Sequence, residues 1–547
     1  MANVLGINAV FHDPAAAVVV DGEIVAAAEE ERFTRRKHGK FPVAFSTWEL
    51  PEKSASWCLQ RAGLTAEALD AIAYSYDPDL APTPGADITE DAWEGLRTLF
   101  ARRAPLFLRT ALPGLEPDRV RFVPHHVAHA ASTYLAAPYR SSAVMVLDGR
   151  GERGSYLAGQ GVDGDLRILA RQDLPHSLGL VYEGLTAHLG YRSSSDEYKV
   201  MALASYGQPR HLDRFRELMR TDADGGFRVD WFAWDDFAPP GRGDGTLDPL
   251  HADLACSLQT RLEEVLLDLA QWLHRRTGEP CLTLAGGVAL NCVANTRIFE
   301  AGPFEDMWVQ PASGDAGTAL GAALHVARGL GDRIRPMTTA ALGREWSDDE
   351  IGEWLSTAAV PFEQPTDIAD ATAEILAADG VVAWFQGRSE YGPRALGHRS
   401  LLANPTRADN LRRLNDVKGR EQFRPIAPMV LLERAKDIFE GGPIPSEFML
   451  FTHRVRDGWS EKIPAVVHVD GTARIQTVDR STEPLVHRCI SAFERRTGIP
   501  VIVNTSLNTA GRPMVDDPRD ALECFGSAPV DALAIGSYLV RRRSVFA

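Results

Sequence analysis

The sequence has no apolar run approaching the roughly 18 residues that a membrane-spanning helix requires. Its amino terminus, MANVLGINAVFHD, has no basic stretch and already carries Asp13. Secretion and membrane spanning are therefore not expected. Cysteine is scarce as well. The six thiols, Cys58, Cys256, Cys281, Cys292, Cys489 and Cys524, are widely separated and form no C-x-x-C pair, which argues against a disulfide framework or a thiolate zinc site and for a reducing, cytoplasmic setting. Positive charge is in deficit: 58 Lys and Arg face 74 Asp and Glu, a formal net charge of −16, so the molecule as a whole repels nucleic acid and acidic membranes. No G-x-x-x-x-G-K-[ST] string occurs, which excludes a P-loop. What is present is globular text of 547 residues, 45% hydrophobic and 24% charged. That is too long for one ordinary core.

Short β-branched or alanine-rich runs at 4–8, 16–20 and 23–28 are separated by a His-Asp-Pro turn and by Asp21-Gly22, a hairpin signal, so the chain opens as a β-meander. A charged helical segment holding Glu29, Glu30, Glu31 and Arg32 is expected next. Further strands are expected at 143–147, 281–285 and 307–310, with an amphipathic helix at 262–276 that places Leu262, Leu266, Leu269 and Leu273 at helical spacing. Glycine-rich turns after those strands imply a shared cleft. Pro336, an N-cap at Ser347, Pro361 and Pro365 mark a change of text. The boundary is placed near 345, giving domains 1–345 and 346–547, both α/β. Beyond it, 380–385 and 500–504 read as buried strands. No internal repeat is visible.

His125 and His129 in PHHVAHAAS are four apart, which sets both imidazoles on one helical face, a spacing suited to a first-row metal. Asp148, at a strand end, and Asp315, in the SGDAGT turn, are the carboxylates placed by context to complete the set. The competing reading is a pair of helix-surface histidines, and His126, on another face, reads as structural. Gly149, Gly151 and Gly154 spell G-x-G-x-x-G, but strand-like text follows, so a β-hairpin is expected and a dinucleotide fingerprint is rejected. Gly286, Gly287 and Asn291, with Gly314 and Gly317, lie in turns that suit either phosphate or tight packing. Glu197 and Lys199 form either a surface salt bridge or a ligand contact.

From Arg388 to Arg424, nine Lys or Arg face four acids, a local charge opposite to that of the chain and suited to a small polyphosphate. Arg412 and Arg413 belong on a solvated face. Asn504 and Ser506 follow a buried strand. His12, in the first turn, is either a general base toward a hydroxyl or a turn histidine capped by Asp13.

Taken together, FHDPAAAVVVDGEIVAAAEEERFTRRKH, HHVAHA, LDGRGE, DEYKVMALASYG, GGVALN, GDAGTALG, QGRSEYGPRALGHRSLL, KGREQFRPIAP and NTSLN resemble the O-carbamoyltransferases of the nodulation-factor, cephalosporin and tobramycin type, in the expected order over nearly the whole chain. The resemblance implies an actin-like domain similar to the threonylcarbamoyl-transferring protein Kae-one, followed by a domain like the carbamoyladenylate-forming protein YrdC. It implies that the second domain condenses carbamoyl phosphate with ATP and magnesium, and that the first transfers the carbamoyl group to a hydroxyl of a small molecule. By the same resemblance His125, His129, Asp148 and Asp315 match the ligands of iron(II), with manganese or zinc also admissible, and His12 matches the catalytic histidine. Gly286, Gly287 and Asn291 match the adenylate turn of the transfer site. Arg394, Lys418, Arg424, Arg474, Asn504 and Ser506 match the carbamoyl phosphate and ATP site. A homodimer is admissible. The alternatives are threonylcarbamoylation of tRNA, which the charge of −16 opposes, and a non-catalytic actin-like ATP-binding module.

Overall fold

A computed structural model describes residues 2–39, 49–82, 90–509 and 511–542. The chain divides into two compact units, Met1–Met337 and Thr338–Ala547.

The first unit opens with an antiparallel meander of β1 (Asn3–Asn8), β2 (Ala15–Val20) and β3 (Glu23–Glu29). Asp21 and Gly22 turn β2 into β3 with φ of 51° and 72°, the type I′ backbone whose twist matches the flanking strands. β4 (Ala71–Tyr74) and β5 (Val120–Phe122) join in parallel, giving the order β3-β2-β1-β4-β5. The charged text after β3 makes only one helical turn, Glu31–Thr34. Glu29 is still paired with Ala15 in the sheet, and the Glu30 carboxylate is bound by the backbone N–H groups of Lys53 and Ser54.

The same order then recurs. β6 (Ser141–Leu147), β7 (Gly154–Val162) and β8 (Asp165–Asp173) form a second meander. After a small hairpin of β9 (Met219–Thr221) and β10 (Phe227–Val229), β11 (Cys281–Ala285) and β12 (Asp306–Val309) join in parallel, giving β12-β11-β6-β7-β8. Two sheets with one topology are the duplicated architecture of the actin-like fold. The second meander turns at Asp163-Gly164, again with both φ positive, 51° and 88°. Val20-Asp21-Gly22-Glu23-Ile24 and Val162-Asp163-Gly164-Asp165-Leu166 are the same hairpin twice. The chain therefore does carry an internal repeat, contrary to expectation, and it survives in sequence chiefly at this turn.

In each half the last parallel strand leads into a helix: His125–Tyr134 after β5 and Ala316–Gly329 after β12. These two helices pack on each other. A Cβ at Gly321 would collide with the carbonyl of Ala128, so only glycine permits this approach. The expected 262–276 helix is the inner part of a longer one, Pro249–Thr277, capped by the Asp248 side chain and ended by Gly278 at φ 66°.

The second unit is α/β around a mixed seven-stranded sheet, in the order β19-β15-β20-β14-β13-β21-β22. Its strands are β13 (Val382–Phe385), β14 (Arg399–Ala403), β15 (Ala427–Leu431), β19 (Gln476–Val478), β20 (Val501–Ser506), β21 (Ala532–Ile535) and β22 (Tyr538–Arg541). A small sheet of β16 (Phe439–Glu440), β17 (His453–Val455) and β18 (Thr472–Ala473) accompanies it. β13, β14 and β15 are buried throughout; β13 and β15 read as unbroken apolar text, as strands covered on both faces do, while β14 opens on the buried Arg399.

Candidate functional site

Nine of the ten residues in the His125–Tyr134 helix are buried, which removes the surface reading of its histidines. His125 Nδ1 donates to the Ser75 carbonyl at 3.2 Å, so its Nε2 is the atom turned to Asp148 Oδ2 at 3.3 Å and Asp315 Oδ1 at 3.6 Å. His129 Nε2 lies 3.7 and 3.6 Å from the same two oxygens, and neither ring nitrogen of His129 makes a hydrogen bond among the described residues. Asp148 follows β6 directly, and its Oδ1 accepts the Gly287 N–H at 3.0 Å. Asp315 stands immediately before the Ala316–Gly329 helix.

All four donor atoms lie within 4.8 Å of one another. Four donors held at about 2.1 Å around one cation are separated by about 3.4 Å, which is close to the spacing here. The electrostatics agree. Burial pulls the His125 imidazole down, but the carboxylates of Asp148 and Asp315 outweigh it and hold the ring well above its ordinary range. Burial raises Asp148, yet His125 and His129 bring it well below the usual carboxylate range; Asp315 is lowered too, with His12 the main opponent of burial. Buried carboxylates facing imidazole lone pairs call for a shared positive charge, and a divalent cation supplies one. The donor set therefore fits a metal.

His12 reaches this centre from the β1–β2 turn. Asn8 Nδ2 donates to the carbonyls of His12 and Asp13, both at 2.9 Å, which shapes the turn. His12 Nε2 lies 3.7 Å from Asp315 Oδ2, and Nδ1 is 2.9 Å from Asp13 Oδ2. Around the centre stand residues not singled out from the sequence. Glu152 Oε1 accepts the N–H groups of both His125 and Asp77, each at 2.8 Å, and so fixes the start of the histidine helix. Ser75 supplies the carbonyl that orients His125. Both could have been sought only by asking which groups satisfy the first N–H of a buried helix and the second nitrogen of a ligating histidine.

The glycine-rich turns converge on the same point. Gly286, at φ 93°, donates its N–H to the Ser313 carbonyl at 2.8 Å, beside Gly314 and Asp315. Asn291 caps the Cys292–Ala301 helix through Oδ1, which accepts the Ala294 N–H at 3.0 Å, and its Nδ2 donates to Gln259 at 2.8 Å. Its amide thus shapes the turn. Gly149, Gly151 and Gly154 run into β7, a strand, so no helix terminus stands behind them. His126 packs against Gly151, and burial pushes its imidazole down to about 3. Lys199 pairs with Asp196 at 3.1 Å. Glu197 Oε1 is buried without a hydrogen bond among the described residues, and burial, reinforced by Glu183, pushes its carboxyl up to about 7.

In the second unit the predicted basic residues divide. Arg399 is fully buried, donates to the carbonyls of Gln386 and Arg344, and lies over the Phe385 ring at 3.8 Å; it is part of the core. Arg388 donates to the carbonyls of Leu342 and Gly343. Arg412 is exposed, whereas Arg413 is tied to Asp379 and Asp531.

Lys418 reaches the end of β20, and Arg394 and Arg474 have chain neighbours bonded to that strand, whereas Arg407 is exposed. Lys418 Nζ donates to the Ser506 carbonyl at 2.6 Å and hydroxyl at 3.0 Å. Asn504 Nδ2 donates to the Ala395 carbonyl, beside Arg394, and to Gln476, two residues from Arg474, both at 2.9 Å. The Arg424 carbonyl is held by Asn415, which also receives Arg420. Asn504 Oδ1 and Arg474 Nε are buried with no hydrogen bond among the described residues. Glu390 organises the arginine-bearing loop by accepting the N–H groups of Leu396, His398 and Arg399 on one oxygen.

Fold and site together define an actin-like protein with a candidate metal centre where its two halves meet. Comparison with known proteins identifies which kind. The carbamoyltransferase N-terminus family model matches residues 3–83 and 114–324, and the carbamoyltransferase C-terminus model matches 373–542. Nodulation protein NolNO of Sinorhizobium fredii is 37% identical over 98% of this chain and 80% of its own. Nodulation protein NolO of Bradyrhizobium diazoefficiens is 39% identical over 77% and 79%, and an uncharacterized Synechocystis protein is 36% identical over 99% and 97%. The solved structure of HypF from T. kodakarensis overlaps 62% of this chain and 49% of its own at 16% identity and a TM-score of 0.39; the fold assignment rests instead on the strand order. The chain belongs to the carbamoyltransferase family and is a carbamoyltransferase. Among the described residues no helix is long and apolar enough to cross a membrane.

Proposed function

We propose that the protein is an ATP-dependent O-carbamoyltransferase working in two steps. In the second unit carbamoyl phosphate gives up inorganic phosphate to water, an oxygen of the resulting carbamate attacks the α-phosphorus of ATP, and pyrophosphate leaves. In the first unit a hydroxyl of a small molecule, such as a sugar, attacks the carbamoyl carbon and AMP departs. The observation that carries the reading is the convergence of His125, His129, Asp148 and Asp315, with His12 Nε2 3.7 Å from the last of them.

His12 takes the hydroxyl proton at Nε2. Gly287 leaves the wall beside Asp148 free of a side chain for the adenylate, and Gly286, pressed against the Leu147 backbone, sets the turn that holds it there. His125, His129, Asp148 and Asp315 would hold a divalent metal, iron(II) on family grounds or manganese or zinc, and such an ion supplies positive charge beside the phosphate or the carbamoyl oxygen. In the second unit Lys418, Arg394, Arg424 and Arg474 offset phosphate charge, aided by magnesium on ATP. The Asn504 carbonyl oxygen offers an acceptor for the carbamoyl amine. Cations that are buried, as Lys418 is, or partly buried act more strongly than in open water, because less water screens them.

The test is incubation of the full chain with ATP, magnesium, labelled carbamoyl phosphate and a panel of sugar-bearing metabolites. AMP and a labelled carbamate ester are expected. His12→Asn should end transfer while carbamoyladenylate still forms, and Arg424→Ala should stop formation of the adenylate. Carbamate ester formed without ATP would overturn the two-step scheme.

A further inference from the structure

The hydrogen bonds behind His12 form a chain that the two-step reading does not use. Asp13 Oδ2 lies 2.9 Å from His12 Nδ1, Asp13 Oδ1 lies 2.7 Å from His38 Nδ1, and His38 Nε2 lies 3.0 Å from Ser195 Oγ. A carboxylate has only lone pairs to offer, so both Nδ1 atoms donate to it. A neutral imidazole carries one N–H. His12 therefore keeps its lone pair on Nε2, the atom directed at the metal centre, and His38 accepts the Ser195 hydroxyl.

Burial raises the Asp13 carboxyl, but His38 and His12 outweigh it and keep the group well below the usual carboxylate range, as an acceptor must be. The backbone shows that these positions are held against their own preference. Phe11, Asp13, His38 and Ser194 have φ of 63°, 49°, 59° and 55°, a left-handed region that such residues rarely adopt. Asn8 holds the turn at one end, and at the other Glu31 accepts the His38 N–H at 2.8 Å. Asp13, Glu31 and His38 also cluster closely enough to suggest a second cation site, but these hydrogen bonds already engage all three.

We propose that Asp13 and His38 are positioning residues for carbamoyl transfer: Asp13 fixes His12 as the Nδ1–H tautomer with its lone pair on Nε2, and His38, anchored on Ser195, fixes Asp13. This rests on the assignment of His12 as the base. As the acceptor oxygen bonds to the carbamoyl carbon, its proton passes to His12 Nε2 and the carbamoyl–AMP bond breaks. Asp13 then stabilises the imidazolium until the proton leaves to solvent.

The test uses full-length Asp13→Asn, His38→Ala and His38→Asn, each checked for carbamoyladenylate formation from carbamoyl phosphate and ATP, which should be unchanged. Long-range proton–nitrogen spectra of histidine-labelled protein read the ring tautomers, with His12 assigned by its loss in His12→Asn. Wild type should show Nδ1–H at His12, and Asp13→Asn should shift it toward Nε2–H. With the hydroxyl compound that the panel identifies, Asp13→Asn should lower kcat roughly 10²–10⁴-fold, as expected for a misprotonated base, at unchanged KM. His38→Ala should fall about tenfold, and His38→Asn, whose amide N–H overlies Nδ1, should recover most of that loss. An unchanged His12 tautomer in Asp13→Asn, or equal impairment of both His38 variants, would overturn the proposal. If wild type forms carbamoyladenylate yet carbamoylates no compound, the transfer reading fails, while the ring spectra still decide the positioning role.

Discussion

The two halves of the first unit share one topology and divide one site between them. In each, the turn after the first strand and the start of the helix after the last strand face the same point. The first half places His12 in its turn and His125 at its helix; the second places Asp148 and Asp315 at the equivalent positions. Duplication thus supplied four approaches to one place, and divergence set nitrogen donors on one side and carboxylates on the other. Chemistry arose from the difference between the copies, on a scaffold that keeps their likeness.

The largest expected effect tests whether the centre is truly shared. His129→Ala in the first half and Asp148→Ala in the second should each abolish stoichiometric metal, read by elemental analysis, and lower transfer by about 10³-fold or more, since a removed ligand costs more than the 10–100-fold of a lost outer partner. A dispensable donor on either side would break the comparison. Next comes the contact between the two helices. Gly321→Ala forces a methyl into the Ala128 carbonyl and should cost about 2–3 kcal/mol by denaturant unfolding.

The charge balance predicts a smaller, graded effect. His125 is held well above its ordinary range by Asp148 and Asp315, so a metal must displace a proton to bind. Affinity should therefore tighten with rising pH, by up to about tenfold per unit while one proton is displaced. The smallest effect concerns Glu197, at the rim of the centre. Its carboxyl is raised to about 7 in the fold, so the folded state binds the proton more tightly than the unfolded one. Stability from this group is greatest below the ordinary Glu range and falls as pH rises through 7. Glu197→Gln should flatten that dependence and stabilise the protein at pH 8 by about 1–2 kcal/mol, measured by thermal or urea unfolding across pH.

Much of this was legible in the sequence because local rules govern it. Asp21-Gly22 demands a I′ turn, the HxxxH spacing sets two imidazoles on one face, and apolar runs mark 281–285 and 500–504 as strands. Context, a strand end and a glycine-rich turn, singled out Asp148 and Asp315, which no spacing rule connects, and the family blocks then matched the same pair. What was hidden is what only the third dimension brings together. Ser75, Glu152 and His38 act on residues far along the chain through backbone groups or a shared carboxylate, and nothing in their own neighbourhood announces it. Charge density misled at Arg399, because an arginine bound to backbone carbonyls looks, as text, like one awaiting phosphate. The duplication stayed hidden because strands conserve burial rather than letters, and only the hairpin tip, where φ must be positive, retained Asp-Gly.

The split ownership of the donors has one more consequence. Two come from the first half and two from the second, so an ion seated among them would act as a rivet between halves whose helices press together at Gly321 and Ala128. Sliding one half by even half an ångström would lengthen bonds on one side of the ion and shorten them on the other. A bound ion would thereby gauge how the halves are set, and gripping it would penalise any misalignment between them.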